Sequence, residues 1–465
     1  MQWGYTMSGL KMGNTRMKLL AGAVMFLAGA TLATSAMSTQ LYGGGATLPA
    51  GGYVGWGWVA SNTRLAPDAA NSVTLDSASM FGAWAASTSN TVQYCQTGSG
   101  GGKRVLDGDS TTLPSLTPAG LCGSFLPAPA QQNAGFQIPS TAIGQPDFAA
   151  SDAPMSPSEY STFVANHGTV KGEPIQFPAV VGSIAVIYNN SDKAPSGSTT
   201  EVDVTSKINL TTSDVCKVFA GEISNWNQLD TGVAGKTYPS RSITVVSRSD
   251  GSGTTFNFMN HLNAVCTSAI IGSGKFFVVD QSYATATAHV SAPTLTAQGN
   301  GNPAVVNVVN ATPGAIAYAE TANTLNQGIG ASAHYATIDS KDPVTGLPAS
   351  FTLASGSVLF DKTVSSDPTT GAPVLNTLTP NSTANCLAVV NPTSFNNPST
   401  GYPIVGVSYI IANQKGNSTN LNTLRSFINF LYTHAGVTTI GTNTGLGFIG
   451  NAGISVLKVQ GCTAA

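Results

Sequence analysis

The sequence contains few charged residues, and this scarcity excludes several classes of protein. Of its 465 residues only 9% are charged, whereas about 25% is usual. The 19 basic and 21 acidic residues leave a formal net charge of −2, so the basic surface of a nucleic-acid-binding protein is not expected. Hydrophobic residues make up 42% of the chain, which excludes disorder through lack of core-forming residues. The length accommodates roughly two or three domains.

The sequence also lacks the spacings that bind metal ions or activate a nucleophile. It contains no Cys-x-x-Cys pair, and its five histidines are scattered without a His-x-x-x-His pair. The segment 98–103 is not a nucleotide-binding P-loop, because Thr97 and Arg104 stand where that loop needs glycine and Ser/Thr. Neither Ser99 nor Ser252 lies in a Gly-x-Ser-x-Gly motif. We therefore expect no metal, no cofactor and no catalytic residue.

The N-terminal segment predicts export. Three basic residues precede an apolar run over 19–32, and small residues follow it at 34–36. This order is typical of a secretory signal peptide, which we place at 1–36. The alternative, a membrane anchor, needs about 20 apolar residues, which is longer than the run at 19–32. We therefore predict a periplasmic location, with extracellular secretion as an alternative.

The six cysteines of an exported chain predict three disulfides. Sequence alone leaves several connectivities open. We favour the sequential pairing Cys95–Cys122, Cys216–Cys266 and Cys386–Cys462.

Hydrophobic patterning indicates an α/β fold. Near-continuous apolar runs at 177–187, 243–246 and 404–411 are typical of buried parallel strands. Apolar residues over 421–432 recur on one face of a helix. Strands that alternate with helices indicate an α/β class. Three polar stretches, 98–145, 281–301 and 340–385, are expected to form surface loops or short added strands.

Three glycine-rich turns have the composition of anion-binding loops. They cover 43–49, 98–102 and 248–255. The N-terminus of a helix offers unpaired N–H groups and the positive end of a dipole. A single Gly-Ser turn is usually only a turn, but in the third segment Arg248 adds a fixed positive charge. A fourth segment, 147–154, is acidic and could instead cap a helix near Ser156.

Taken in order, these four segments resemble motifs of the periplasmic phosphate-binding protein of the Pst-type ABC transporter. That family has Gly-Ala-Thr-Phe-Pro, Gly-Ser-Ser-Gly, Ala-Ser-Asp-Ala-Pro and Arg-x-Asp-x-Ser-Gly-Thr. Here the segments are GATLP at 45–49, GSGG at 98–101, ASDAP at 150–154 and RSDGSGT at 248–254. Residues 41–49 are similar to the DING branch, whose cysteines also support Cys216–Cys266 and Cys386–Cys462. The resemblance spans nearly the whole mature chain.

The resemblance implies a type II periplasmic-binding-protein fold, in which two α/β lobes are joined by two crossing strands and enclose a ligand cleft. We place the crossings near 181 and 402–407. Lobe one is then discontinuous, 37–181 plus 405–465, and lobe two covers 182–404. Closure of the cleft would bring the four motifs together.

By resemblance, the chain binds inorganic phosphate and delivers it to the membrane subunits of an ABC permease, acting as a monomer without nucleic acid. The resemblance implies that Asp250 orients Arg248 and that the phosphate-binding residues are Thr47, Leu48, Ser99, Asp152, Arg248, Ser252, Gly253 and Thr254.

Two other functions stay open. One is a secreted DING-like phosphatase or phosphate scavenger, and the other is a surface or adhesive protein that uses the polar insertions. The chain also departs from the family pattern at Gly100, which replaces a serine, and at 50–52, where two glycines predict a short first helix.

Overall fold

A computed structural model describes residues 39–56, 65–66, 75–108, 146–205, 207–326, 334–346, 353, 356–379, 386–416 and 420–449. All of them belong to one compact unit, Ser38–Ala465. The predicted signal peptide at 1–36, together with Cys122 and Cys462, lies outside the described residues.

The described chain alternates strands and helices. The strands are β1 Gln40–Gly45, β2 Leu65–Ala66, β3 Thr91–Cys95, β4 Phe148–Ser151, β5 Pro174–Tyr188, β6 Asn209–Leu210, β7 Thr244–Arg248, β8 Leu295–Gly299, β9 Ala315–Glu320, β10 His334–Tyr335, β11 Thr337–Ile338, β12 Val358–Leu359, β13 Lys362–Ser366, β14 Pro373–Thr377, β15 Val389–Val390, β16 Val405–Asn413 and β17 Gly447–Phe448. The helices are α1 Ala50–Val54, α2 Met80–Thr88, α3 Ser99–Asp107, α4 Pro157–Lys171, α5 Thr212–Phe219, α6 Gly253–Val265, α7 Ser268–Ile271, α8 Tyr283–Ala286, α9 Gly301–Ala311, α10 Thr321–Asn326, α11 Leu421–Thr433 and α12 Val437–Thr444.

The long strand β5 connects two halves of one mixed sheet, whose order is β2-β3-β1-β4-β16-β5-β9-β7-β8. Strand β5 pairs with β16 from Pro174 to Ser183 and with β9 from Ile184 to Tyr188, both antiparallel. We refer to β1–β4 with α1–α4, α11 and α12 as the first lobe, and to β7–β9 with α5–α10 as the second lobe. The lobe boundaries in sequence stay a prediction.

Each lobe has its own hydrophobic core. In the first lobe, aromatic residues such as Tyr53, Phe81 and Phe427 pack together, with the rings of Tyr53 and Phe81 stacked at 4.5 Å. In the second lobe, Phe258 stacks on Tyr318 at 4.4 Å. Among the described residues, no helix has the length and apolar character needed to cross a membrane.

The clearest predicted elements are confirmed, but one inference about them is wrong. The apolar runs at 177–187, 243–246 and 404–411 form β5, β7 and β16, and the helix at 421–432 is α11. Strands β5 and β16, however, run antiparallel to each other. Every residue of both strands is buried, and a continuous apolar run reports burial on both faces rather than strand direction.

Two of the polar stretches contain core elements. The first, 98–145, contains α3 near its start. Strand β8, at the edge of the sheet in the second lobe, lies inside 281–301. Three consecutive glycines lower the intrinsic helix propensity of α3, but tertiary contacts outweigh it. Its fully buried Lys103 donates to Glu159 at 2.9 Å and to the Pro154 carbonyl at 3.1 Å.

The third polar stretch forms short added strands, as expected. Strands β13 and β14 pair as an antiparallel hairpin. The Val364 N–H in this hairpin donates to the Met155 carbonyl of the first lobe at 3.0 Å, and the Gly371 carbonyl accepts from the Val279 N–H of the second lobe at 2.9 Å. The hairpin therefore contacts both lobes.

One predicted disulfide is confirmed within the described residues. Cys216 on α5 is bonded to Cys266 at the end of α6. Cys95 and Cys386 are also disulfide-bonded. Their pairing with Cys122 and Cys462 stays a prediction, because those two residues lie outside the described part of the chain.

Candidate anion-binding site

In the first lobe, the first motif connects β1 to the short helix α1. The Ala46 N–H donates to the Ala150 carbonyl at 2.8 Å, which holds the turn against β4. Thr47 and Leu48 follow, and both are buried. Helix α1 has only 5 residues, as the adjacent glycines predicted.

The motifs at 98–101 and 150–154, both in the first lobe, meet at Ser99 and Asp152. Gly98 has a φ of 79°, a left-handed conformation that favours glycine, and α3 begins at the next residue. The Ser99 hydroxyl accepts from the Asp152 N–H at 3.0 Å and donates to Asp152 Oδ2 at 3.3 Å. The alternative role of this acidic segment as a helix cap is not observed, because Ser156 and Glu159 form the capping box of α4.

In the second lobe, the motif at 248–254 connects β7 to α6. Ser252 is the N-cap of α6, and its hydroxyl accepts from the Thr255 N–H at 3.0 Å. Arg248, the last residue of β7, donates from Nε to Asp250 Oδ1 at 2.7 Å and from Nη2 to Asp250 Oδ2 at 2.5 Å. The two side chains are 1% and 0% exposed.

Direct hydrogen bonds join the two lobes around these motifs. Asn257 Nδ2 donates to the Asp152 carbonyl at 2.7 Å, and Asn323 Nδ2 donates to the Thr47 carbonyl at 2.9 Å. The Gly100 N–H donates to the Gly251 carbonyl at 2.8 Å. The lobes are therefore closed on each other in this structure.

The approach at Gly253 is especially close. A Cβ added there would lie 2.4 Å from the Asp152 Cβ and 2.5 Å from the Ser99 Oγ. Only glycine allows the N-terminus of α6 to pack against the first lobe at this distance.

Burial dominates the electrostatics of the site. It raises the pKa of Asp152 to about 7, although the Ser408 and Ser99 hydroxyls and the Arg248 guanidinium favour the ionised form. The Ser408 hydroxyl lies near the Asp152 carboxylate and lowers its pKa, but Asp152 Oδ1 and Ser408 Oγ do not form a hydrogen bond. Burial also raises the pKa of Glu320 to about 8. For Arg248, burial opposes the charged form, but the Asp250 carboxylate keeps the pKa above its ordinary value.

All nine residues singled out from the sequence are buried and lie in the motifs that meet between the lobes. Their part in binding a ligand stays a prediction. Among the described residues, no group of three or more His, Cys, Asp or Glu side chains is arranged to hold a metal ion.

Asn302, the second residue of α9, lies in the site but is not among the residues predicted from the sequence. Its N–H donates to Thr47 Oγ1 at 3.3 Å, and its side chain contacts Arg248 and Thr254. The signal was available as a Gly-Asn-Gly-Asn turn at 299–302. The polar composition of 281–301 predicts a surface loop, and therefore does not indicate the strand that precedes this turn.

Relatives in sequence carry two kinds of name. Over 288 residues the chain is 31% identical to alkaline phosphatase L of Pseudomonas aeruginosa strain UCBPP-PA14, which covers 60% of this chain and 65% of that protein. Over 181 residues it is 32% identical to the phosphate-binding protein PstS of Haemophilus influenzae, covering 38% of this chain and 44% of that protein. The chain thus spans less than two thirds of the length of these relatives.

Solved structures are similar over most of the chain. A high affinity periplasmic phosphate-binding protein, PfluDING, has a TM-score of 0.57 and 21% identity, with coverage of 90% of this chain and 93% of that one. A phosphate-binding protein from Stenotrophomonas maltophilia has a TM-score of 0.55 and 21% identity, with coverage of 90% and 89%. These similarities confirm the predicted fold, a type II periplasmic-binding-protein architecture.

The family assignment rests on a match that covers most of the chain. A family model described as the PBP superfamily domain matches residues 69–434. Together with the relatives above, this match confirms the resemblance to phosphate-binding proteins, DING proteins included. The chain belongs to the PBP superfamily.

Proposed function

We propose that this chain binds inorganic phosphate between its lobes and delivers it to an ABC-type phosphate permease. The observation that carries this proposal is the meeting of the four motifs in one buried site. Hydroxyls and a carboxylate from the first lobe face a guanidinium, hydroxyls and a helix N-terminus from the second. The names of the PstS relative and of the two structural neighbours support phosphate as the ligand.

The second lobe supplies positive potential for the anion. Helix α6 has 13 residues, and the N–H groups of its first residues, Gly253 and Thr254, have no partner within the helix. Arg248 adds a fixed charge. Because the site is buried, each charge-assisted hydrogen bond to phosphate contributes about 1.5–3 kcal/mol. The first lobe adds Thr47, Leu48 and Ser99 on the other side of the ligand.

Asp152 gives the site a preference among anions. Above about pH 7, where Asp152 is ionised, its carboxylate only accepts hydrogen bonds. Phosphate near neutral pH retains a proton that it can donate to Asp152, whereas sulfate has none and would be repelled. A carboxylate at this position therefore favours phosphate by rejecting its competitor.

Calorimetric titration with phosphate, sulfate and arsenate tests the binding proposal. We expect saturable phosphate binding at one site per chain and weak or no sulfate binding. Phosphate at about 100 times its dissociation constant should also raise the free energy of unfolding by about 2.7 kcal/mol. Absence of both effects would contradict phosphate binding and favour the surface or adhesive role.

Delivery needs a separate test. We propose that the chain is exported to the periplasm and acts there as a monomer. Phosphate uptake into proteoliposomes that contain the phosphate permease of the same organism should depend on added chain. Uptake that does not respond to the chain would contradict delivery while leaving phosphate binding intact.

A second candidate function is phosphomonoester hydrolysis, because relatives carry the name alkaline phosphatase L. One of them, from Pseudomonas aeruginosa PAO1, is 27% identical over 366 residues, or 74% of this chain and 84% of that protein. Release of phosphate from a phosphomonoester, measured on metal-stripped and on metal-supplemented protein, distinguishes the two functions. If turnover occurs and is lost in Arg248→Ala, the anion site performs it. If turnover survives that change, hydrolysis belongs elsewhere or to a contaminant.

A further inference from the structure

Asn302 occupies a central place among the proposed phosphate ligands. It is fully buried at the start of α9, an 11-residue helix. Arg248 Nη1 donates to Asn302 Oδ1 at 3.1 Å, and Asn302 Nδ2 donates to Thr254 Oγ1 at 3.3 Å. The Asn302 backbone N–H donates to Thr47 Oγ1 at 3.3 Å. One residue thus contacts hydroxyls from both lobes and the only guanidinium of the four motifs.

The orientation of the Asn302 amide follows from the chemistry of its neighbours. A guanidinium carries donors only, so the amide oxygen must face Arg248. The amide nitrogen must then face Thr254, where it can only donate. The opposite orientation would place two donors against each other inside a buried site, at the cost of an unmade hydrogen bond.

This arrangement determines which way the Thr254 hydroxyl points. A threonine hydroxyl has one O–H and two acceptor lone pairs. Thr254 Oγ1 accepts from Asn302 Nδ2 at 3.3 Å and from Arg248 Nη1 at 3.4 Å. Both lone pairs are engaged, so the O–H is left to donate. Thr47 Oγ1 likewise accepts from the Asn302 N–H, which directs its own O–H elsewhere.

We propose that Asn302 is a positioning residue that holds the Thr254 and Thr47 hydroxyls as hydrogen-bond donors toward the anion. The inference rests on the proposed phosphate site and deepens it. A free hydroxyl rotates between donor and acceptor roles, and ordering it as a donor before binding removes a cost that the ligand would otherwise bear. In this proposal Asn302 acts through its neighbours, because its amide oxygen accepts from Arg248 and one amide N–H donates to Thr254.

A double-mutant cycle between Asn302 and Thr254 tests this role. Asn302→Ala should weaken phosphate binding about tenfold, and Thr254→Val, which removes the hydroxyl at nearly constant shape, by about 10–100-fold. If Asn302 acts through the Thr254 hydroxyl, Asn302→Ala should cost much less in the Thr254→Val background. In Thr254→Ser, which keeps the hydroxyl, Asn302→Ala should retain its full effect. Calorimetric titration measures all six proteins, wild type included.

Asn189→Ala is the matched control for the loss of a buried asparagine. Asn189 directly follows β5 and is 5% exposed, and its amide donates to two carbonyls of the last turn of α9. Its replacement should lower the unfolding midpoint and leave phosphate affinity unchanged. Asn302→Ser, which keeps a small polar side chain, replaces Asn302→Ala if the alanine variant does not fold.

The outcomes separate the two proposals. If the wild type does not bind phosphate, the proposed function itself is wrong. Two results would show that Asn302 does not orient the Thr254 hydroxyl. One is a wild type that binds phosphate together with an Asn302→Ala variant of wild-type affinity. The other is an equal loss of phosphate affinity on Asn302→Ala in the Thr254→Val and Thr254→Ser backgrounds. An effect confined to the hydroxyl-bearing backgrounds supports the inference.

Discussion

Arg248 and Asp250 form a two-point ion pair in which Arg248 Nε lies 2.7 Å from Asp250 Oδ1 and Nη2 lies 2.5 Å from Oδ2. Asp250 Oδ1 also accepts from the Gly301 N–H at 3.0 Å. The pair therefore fixes the guanidinium plane and connects it to the start of α9. Arg248 Nη1 is directed instead toward Asn302 and Thr254. If Arg248 binds the anion as proposed, ligand binding and stability depend on the same side chain.

Replacing Arg248 should affect both properties. In Arg248→Ala we expect phosphate affinity to fall by about 10-fold or more, since a charge-assisted bond is lost. We also expect the free energy of unfolding to fall by about 3–5 kcal/mol, because Asp250 keeps a buried charge without its partner. Calorimetric titration and urea unfolding measure the two effects.

Arg241 provides the control for this prediction. It forms the same two-point geometry with Asp192, at 2.6 and 2.5 Å, but its side chain is 37% exposed and lies outside the cleft motifs. Arg241→Ala should cost at most about 1 kcal/mol and leave affinity unchanged. If the two replacements had the same effect on phosphate affinity, Arg248 would not be in the binding site.

Replacing Asp152 should change the choice of anion. Asp152→Asn substitutes a group that can donate to sulfate, so sulfate binding should increase most and the preference for phosphate should narrow. Titration of the variant with both anions measures the ratio. A variant that rejects sulfate as strongly as the wild type would show that another group sets the selectivity.

Asp152 should also give the unliganded protein a characteristic pH dependence. Its pKa is raised from 3.8 to about 7 by burial. Between about pH 4 and 7, the folded state keeps a proton that the unfolded state has released. Since the unfolded state binds fewer protons, the free energy of unfolding decreases as the pH rises through this range. Asp152→Asn should remove this part of the decrease.

Urea unfolding at several pH values checks this prediction. The quantity of interest is the difference in the free energy of unfolding between the wild type and Asp152→Asn. The subtraction cancels buried groups that Asp152 does not influence, but it includes the part of the Glu320 pKa shift that Asp152 causes. Glu320, with a pKa near 8, acts in the same direction, and His261, whose pKa burial lowers to about 4, acts in the opposite one. A difference that stays constant from pH 4 to 7 would mean that Asp152 does not hold a proton in the folded state.

Gly253 should be required for closure rather than for the folding of either lobe. In Gly253→Ala the new Cβ would collide with Asp152 and Ser99 across the cleft. We expect weaker phosphate binding and a larger radius of gyration in small-angle X-ray scattering with phosphate present. Opening of the lobes relieves the collision, so the unfolding midpoint of the unliganded protein should change little.

Gly168→Ala is the corresponding control in helix α4. There the added Cβ would meet only the Val164 side chain, at 3.2 Å from Cγ1 and 3.8 Å from Cβ, and alanine favours the helix. Affinity and scattering should match those of the wild type. A Gly253→Ala protein that binds and closes normally would contradict the close approach described above.

The sequence by itself determined the fold class, the family and the motifs of the candidate site. Ordered motifs with glycine, hydroxyl, carboxylate and guanidinium groups are local features, and so is the apolar character of β5 and β16. These properties depend on residue type and spacing, which a single chain displays directly.

Only the tertiary structure decided strand direction, the helical state of 99–107 and the place of Asn302. Strands β5 and β16 pair antiparallel, and this direction depends on how the chain connects the two strands, which are distant in sequence. Helix α3 is stabilised by contacts that are distant in sequence, since Lys103 donates hydrogen bonds to Glu159 and to the Pro154 carbonyl. Asn302 contacts Thr47 from 255 residues away. Long-range contacts outweigh local propensity at these positions. Closure of the lobes brings together hydrogen-bond partners that a local sequence pattern does not indicate.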